Sequence, residues 1–496
     1  MRRPVQFAAI AMLMCVARAS TSDGGFDAGP WLQDLQQVQV ALTTKYANLD
    51  WVVFEREADL PRLFADARTR IGRASSDFDA RAAIERLIGR LGDAHVEVGW
   101  PSRPTSRSTP SRSAEAPAPA ALCSGIGYVR RTSSAPVGGL VAGFRPIADS
   151  TDSDFPAGTL DVSGKRVGIV RIAEFSPARA PALCESALKA LRIAPETVCD
   201  DACRSRVEKW AYTRMSRDLA ESIDSLEKAG SSVLLVDITG NGGGSEWAEA
   251  AARMLTPMRL RSEEMQFVRG EHWTRKWSAL AADLRKAAKD ADEAGAAQLS
   301  AWAEKVDEKT KDAATACPGD AYWSRRRPGC HWLGAGFFAT GLLGDADVAA
   351  LRKHPWGALV FTPAQYDFPT GVWHGPLLVL VDQRTYSAAE EFAAVLQDNG
   401  VAIILGAATG GAGCGRTDGG TPTLLKNSGG TLQVPDCARI RRNGANEVSG
   451  IDPDVLIGFR DADGATRRGI RLLGALPRAI AIAGARHIGA AWRTGQ

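Results

Sequence analysis

Chemistry in this chain gathers first at Ser387. Leu377 to Val381 is an apolar run with the length of a buried strand, and Asp382-Gln-Arg-Thr-Tyr386 is a short polar turn. Phe392, Val395 and Leu396 then share one face of a helix that Asn399-Gly400 ends. A serine at such a junction is presented above the sheet edge, where free N–H groups of the first helical turn favour developing negative charge. With Glu390 three residues on, the same serine also fits a helix capping box. The segment alone leaves cap and nucleophile open.

A serine nucleophile needs a base, and there are six histidines. His272, His331 and His354 lie in or beside a polar stretch, His374 precedes the strand leading to Ser387, and His487 is on the C-terminal tail. His95 differs, because it follows the glycine-broken helix end Gly92-Asp-Ala and opens the alternating run Val96, Val98, Trp100. A structural imidazole is the competing reading. Thr239-Gly-Asn-Gly-Gly-Gly-Ser245 holds more glycine than a turn needs and suits backbone N–H groups converging on an oxygen. It is neither a P-loop nor a dinucleotide fingerprint, and Gly410-Gly-Ala-Gly-Cys-Gly415 is a looser mimic of a nucleotide loop. Asn446-Glu-Val-Ser-Gly-Ile-Asp-Pro-Asp454 supplies carboxylates: Glu447 is a candidate to orient an imidazole, while Asp452 and Asp454 flank a proline and suit a turn. No carboxylate pair demands a glycosidase.

The elements that must position these groups follow from periodicity. Trp31 to Leu91 is helical, with Leu32, Leu35, Val38 and Leu42 on one stripe and Ile84, Leu87, Ile88 and Leu91 on another. Residues 101–120 are Pro, Ser, Thr, Arg and Ala, a linker composition. Short strands are expected from Ile126 to about Phe144, and Val167 to Phe175 is a clear strand. Residues 178–230 read as mainly helical, with Cys199 and Cys203 in an irregular piece. Ser232 to Ile238 is a second buried strand. Between about 260 and 350 charged residues and alanine dominate, which predicts a helical insertion. Strand 377–381, helix 388–398 and strand 401–405 restore the α/β alternation, so both flanks belong to one sheet. The expected segments are 20–100 helical, 101–120 linker, 121–259 and 351–480 two parts of a core, 260–350 insertion and 481–496 a tail.

At 496 residues, 45% hydrophobic and 24% charged, the composition is globular and predicts two units or one large unit with insertions. A net charge of +3 without a basic block gives no argument for nucleic acid or an anionic membrane as partner. Arg2-Arg3, an apolar run from Val5 to Val16 and Ala17-Arg-Ala19 have the form of a secretory signal cleaved after Ala19. The mature protein is therefore expected to be periplasmic or secreted. Cys15 raises lipidation, but Met14 stands where a small residue is wanted. No later segment reaches the roughly 18 uninterrupted apolar residues of a membrane span. Without Cys15, eight cysteines remain, an even count that suggests disulfides in an oxidising compartment. Neighbourhood pairs 123 with 184, 199 with 203, 317 with 330 and 414 with 437, among many connectivities. Zinc is the rival, yet histidines do not accompany these cysteines at the usual spacing, so neither metal nor cofactor is expected.

Together these segments resemble the S41 serine peptidases, the family of C-terminal processing peptidases and the tricorn core protease. The matching pieces are Leu-Gly-Asp-Ala-His95, Val-Gly-Ile-Val-Arg-Ile172, Leu-Leu-Val-Asp-Ile-Thr-Gly-Asn-Gly-Gly-Gly244 and Thr-Tyr-Ser-Ala-Ala-Glu-Glu-Phe-Ala-Ala-Val-Leu-Gln-Asp398 with its following Gly-x-x-Thr-Gly-Gly411. The resemblance implies an α/β, ClpP/crotonase-like β-α superhelical core, here with an N-terminal helical region and a helical insertion. In members with a Ser-Lys dyad the base lysine lies in a Thr-Phe-Gly-Lys-Gly segment, where this chain has Thr409-Gly-Gly-Ala-Gly413. Ala412 cannot take a proton. The tricorn-like branch uses an upstream histidine and a later glutamate, which points to His95 and Glu447. The resemblance thus implies an exported serine endopeptidase acting on peptides or unfolded proteins. Ser387 would attack, His95 relay the proton, Glu447 orient His95, and N–H groups of Ala388 and the Gly242-Gly243 turn bind the oxyanion. The stretch before strand 167 holds only about 46 residues, short for a PDZ module. Retinoid-binding relatives of the fold leave a carrier of apolar ligands as the alternative. A partner-holding protein built around the insertion is a third reading, and the insertion could instead be a lid over Ser387.

Overall fold

The computed structural model describes residues 26–101, 119–129, 136–147, 154–315, 317–417, 422–460 and 462–494. The expected leader with its cleavage site, most of the 101–120 linker and part of the 126–144 stretch lie outside the described residues.

A seven-stranded sheet carries the site, in the spatial order Val455–Leu456, Ala402–Gly406, Leu377–Val381, Val233–Asp237, Lys165–Arg171, Ala157–Val162, Arg145–Pro146. The first five run parallel, with Val167 beside Val233, Leu234 beside Leu377 and Leu377 beside Ala402, and the last two add an antiparallel edge. Parallel strands need cover on both faces, which is why these segments are apolar throughout rather than alternating. Leu234, Val236, Val379, Val381 and Ile404 point to one core, shared with helices Asp201–Lys228, Trp247–Met254 and Ala388–Asp398. Val233, Leu235, Leu378, Leu380, Ile403 and Leu405, the alternate residues, point to another. That second face is closed by Leu472, Leu476, Ala479 and Ala483 of one helix, Ala465–Thr494, so the expected boundary at 480 falls inside a continuous element.

The N-terminal region is helical over Gly29–Lys45, Leu60–Gly72 and Asp77–Leu91. The last begins at Ser76, whose hydroxyl accepts the Asp79 N–H, and ends at Gly92 with φ +78°. Its core is shared, because Leu35, Val38, Leu42, Ile84 and Leu87 pack with Trp332, Leu425, Leu432 and Val448 from distant parts of the chain.

Three local expectations change. The 260–350 stretch is not purely helical: Glu271–Ala288 and Glu293–Ala313 form a helical hairpin, but strands Glu264–Val268 and Leu333–Phe338 flank it and pair antiparallel with each other, with Cys437–Ile440 on the far side of Glu264–Val268. Glu264-Met-Gln-Phe-Val and Leu-Gly-Ala-Gly-Phe-Phe338 carry little alternation, and the second holds glycines for a packing reason. A Cβ on Gly334 would lie 2.5 Å from the Phe267 ring. Cys203 is not in an irregular piece but in the first turn of helix Asp201–Lys228. Between 136 and 144 the described chain forms a 3₁₀ turn at Val137–Leu140 and no strand.

Disulfides join Cys123–Cys184, Cys199–Cys203, Cys317–Cys330 and Cys414–Cys437, the neighbourhood pairing. Among the described residues no helix is long and apolar enough to cross a membrane, and no group of His, Cys, Asp and Glu side chains could hold a metal ion.

Candidate active site

Ser387 stands where the sequence places it, between strand Leu377–Val381 and helix Ala388–Asp398, with φ +58° and ψ −126°. A non-glycine residue held there costs about 1–3 kcal/mol, so its surroundings must impose the turn. They do so from both sides. Tyr386 donates its N–H to the Asn241 carbonyl at 3.0 Å, and Ser387 donates its N–H to Glu390 Oε2 at 2.9 Å. The glycine turn then closes on the serine: a Cβ on Gly243, at φ +103°, would lie 2.8 Å from Ser387 Cβ.

The Ser387 hydroxyl meets His95, with Oγ 3.2 Å from Nε2. On the other side of the ring Nδ1 is 2.8 Å from the Ala412 carbonyl. A carbonyl oxygen only accepts, so Nδ1 carries the hydrogen and the Nε2 lone pair is left facing the serine. Burial pushes the imidazole below its ordinary value, against the charge of Asp93 and the Ala412 carbonyl, while Arg439 and Arg416 reinforce the lowering. Gly415 at φ +72° backs the ring so closely that a Cβ would come within 2.9 Å of His95 Cε1.

The model of peptidase family S41 matches residues 166–457, more than half of the chain, a span that holds Ser387 and the glycine turn and begins after His95. The chain belongs to peptidase family S41. This S41 chain is a serine-type peptidase, and its substrates are peptides or proteins. No curated protein matches it. Among solved structures, mature CPAF is similar at 15% identity and a TM-score of 0.55, covering 92% of this chain and 98% of that one. CPAF complexed with lactacystin is similar at 15% identity and 0.54, covering 92% and 99%. At these identities the likeness shows a shared fold. A putative peptidase from Parabacteroides merdae is similar at 12% identity and a TM-score of 0.46, covering 91% and 96%.

Within this S41 site the other expected residues are placed as follows. The N–H groups of Ala388 and Gly242 have no acceptor among the described residues. Gly243 is different, since its N–H is directed to Asn241 Oδ1 at 2.8 Å. Glu447 is fully buried, but the structure does not bring it to the imidazole. Both its oxygens face Arg439, Oε1 at 2.8 Å from Nη2 and Oε2 in a short contact with Nε. Arg439 also reaches Glu391 at 3.1 Å, the Gly413 carbonyl at 2.9 Å and the Ser387 carbonyl at 3.2 Å. Glu447 therefore meets the site through an arginine, and the group opposite Nδ1 is a main-chain carbonyl.

Three contributors escaped the sequence reading. Asn241 is buried and fixes the glycine turn, its Nδ2 donating to the Ile172 carbonyl at 3.0 Å. Asparagine amid glycines was its signal, because the side chain bonds its own backbone two residues on. Glu390 fits the capping pattern, yet its carboxylate does more. It accepts from Ser387, from Thr409 Oγ1 at 2.5 Å, and from the N–H groups of Gly411 and Ala412, each at 2.8 Å. One side chain thus ties the Ser387 turn to the loop whose Ala412 carbonyl faces His95 Nδ1. Burial pushes it up to about 7, with Glu447 adding to the rise and the donors opposing it. Arg439 gave no signal, since Ala-Arg-Ile-Arg-Arg442 reads as an exposed basic patch.

Proposed function

We propose that this S41 peptidase is an exported endopeptidase in which Ser387 is the nucleophile and His95 the general base. The observation that carries the reading is the Ser387 Oγ to His95 Nε2 approach of 3.2 Å, with the tautomer set by the Ala412 carbonyl. As Oγ attacks the peptide carbonyl, its proton passes to Nε2. The imidazolium then donates that proton to the leaving amine. Water repeats the cycle on the acyl-enzyme. The N–H groups of Ala388 and Gly242 would receive the oxyanion, an interaction worth roughly 3–4 kcal/mol per donor in other proteases. No lysine is needed at position 412, because the base arrives from the end of an N-terminal helix. Export rests on the leader-like first residues and on four disulfides, which persist in oxidising compartments.

The test is digestion of denatured casein, together with labelling by a fluorophosphonate that reacts with activated serines. Ser387→Ala is expected to abolish both, and His95→Ala to lower both by roughly four orders of magnitude. Cleavage surviving Ser387→Ala would remove the mechanism. A wild-type protein inert to both probes that instead binds apolar ligands would favour a carrier.

A further inference from the structure

We propose that Asp93 is the positioning carboxylate of this site, holding His95 by its main-chain N–H and supplying the negative charge that an imidazolium at position 95 requires. The proposal rests on His95 acting as base, and it gives Asp93 the part that the family resemblance implied for Glu447. Asp93 is buried, 4% exposed, in the tight turn after Gly92. Its Oδ1 accepts the His95 N–H at 2.9 Å. Its Oδ2 accepts from Tyr46 Oη at 2.9 Å and Asn48 Nδ2 at 2.8 Å. Burial pushes the Asp93 carboxyl above its ordinary value, while its three donors and the adjoining His95 oppose that rise and favour the charged form. One residue, Ala94, separates it from His95, whose ring must become positive.

Asn48 extends the arrangement to the other side of the imidazole. Its Oδ1 accepts from Asn446 Nδ2 at 2.8 Å, and Asn446 Oδ1 accepts the Val448 N–H at 3.1 Å. Val448 packs on the loop that offers the Ala412 carbonyl, since a Cβ on Gly411 would lie 2.3 Å from the Val448 oxygen. Asp93 thus holds the backbone of His95 and, through two asparagines, braces the segment that receives Nδ1. Other charges facing the ring oppose it. Arg416 lies on the loop beside His95, paired with Glu97 at 3.2 Å, and Arg439 comes from strand Cys437–Ile440 with its charge offset by Glu447 and Glu391. Arg439 and Arg416 both lower the imidazole's affinity for a proton, while Asp93 raises it.

The experiment measures fluorophosphonate labelling and casein cleavage from about pH 5 to 9, across the range where histidine titrates. Asp93→Asn keeps an oxygen for the His95 N–H, removes the charge, and places an amide donor where Oδ2 accepts from Tyr46 and Asn48, so its stability is measured beside its activity. The acid limb is expected to move down by about one pH unit and the plateau to fall about tenfold or more. A purely structural turn residue would lose stability in this variant but leave the limb in place. Should Asp93→Asn fail to fold, Tyr46→Phe removes one donor while keeping the charge and is expected to move the limb up. Unshifted limbs in the folded variants would overturn the proposal. Ser387→Ala separates the two readings: if it abolishes labelling while Asp93→Asn matches wild type, only the role of Asp93 falls.

Discussion

The His95 imidazole stands between the Ser387 hydroxyl and a main-chain carbonyl, and among the described residues no carboxylate is hydrogen-bonded to the ring. Ser387 and His95 were legible because each sits at a boundary that a period change marks, strand to helix and helix to strand. The partner of Glu447 was not, since a buried pair with Arg439 depends on a contact between strand and turn that no local pattern encodes. Burial holds the imidazole below its ordinary 6.5, so His95 stays neutral, and a base, to lower pH than a free histidine. Labelling of Ser387 should therefore persist as pH falls past that value and decline only below it, which a pH–rate profile checks. Gly243→Val should abolish labelling, because its branched side chain must displace Ser387 and adopt φ +103°. Glu390→Gln turns an acceptor into a donor facing the N–H groups of Gly411 or Ala412. The expected cost is about 1–3 kcal/mol of stability by chemical denaturation, with activity lost at temperatures where the variant is still folded.

At the scale of elements, the parallel strands and the nucleophile's helix were legible because fully buried strands are apolar without interruption. The insertion was read as helix alone since its two strands are short and partly exposed, and the second holds two glycines. Those strands matter to the site, because Glu264–Val268 pairs with Cys437–Ile440, which carries Arg439. The disulfide Cys414–Cys437 pins that strand to the loop holding Ala412 and Gly415. Its loop of 23 residues corresponds to about 3 kcal/mol of denatured-state entropy. The double variant Cys414→Ser, Cys437→Ser should lose stability of that order in urea unfolding. Its labelling rate should fall further than the fraction unfolded explains, because the carbonyl opposite Nδ1 is no longer clamped.

For the whole molecule, composition predicted a globular protein of two units or one large unit with insertions, and the N-terminal helices share a core with residues near 332, 425 and 448. Such sharing is invisible to a scan for linkers. The C-terminal helix covers the sheet through Leu472, Leu476, Ala479 and Ala483. Its Arg468 donates to Asp382 Oδ2 at 2.6 Å, and Asp382 Oδ1 in turn accepts the Gly240 N–H at 2.7 Å at the start of the glycine turn. Arg468→Ala leaves a fully buried carboxylate with only the exposed Arg384, at 3.8 Å, as its cation. A loss of about 3–5 kcal/mol is expected from denaturant unfolding, large enough to reveal that the last helix is integral to the fold.

The carbonyl that receives Nδ1 belongs to the main chain, and a main chain is inherited whatever letter stands at the position. Residue 412 is thus free to drift among small amino acids while the base keeps its orientation. The letter at position 412 then says nothing of whether Nδ1 keeps its acceptor.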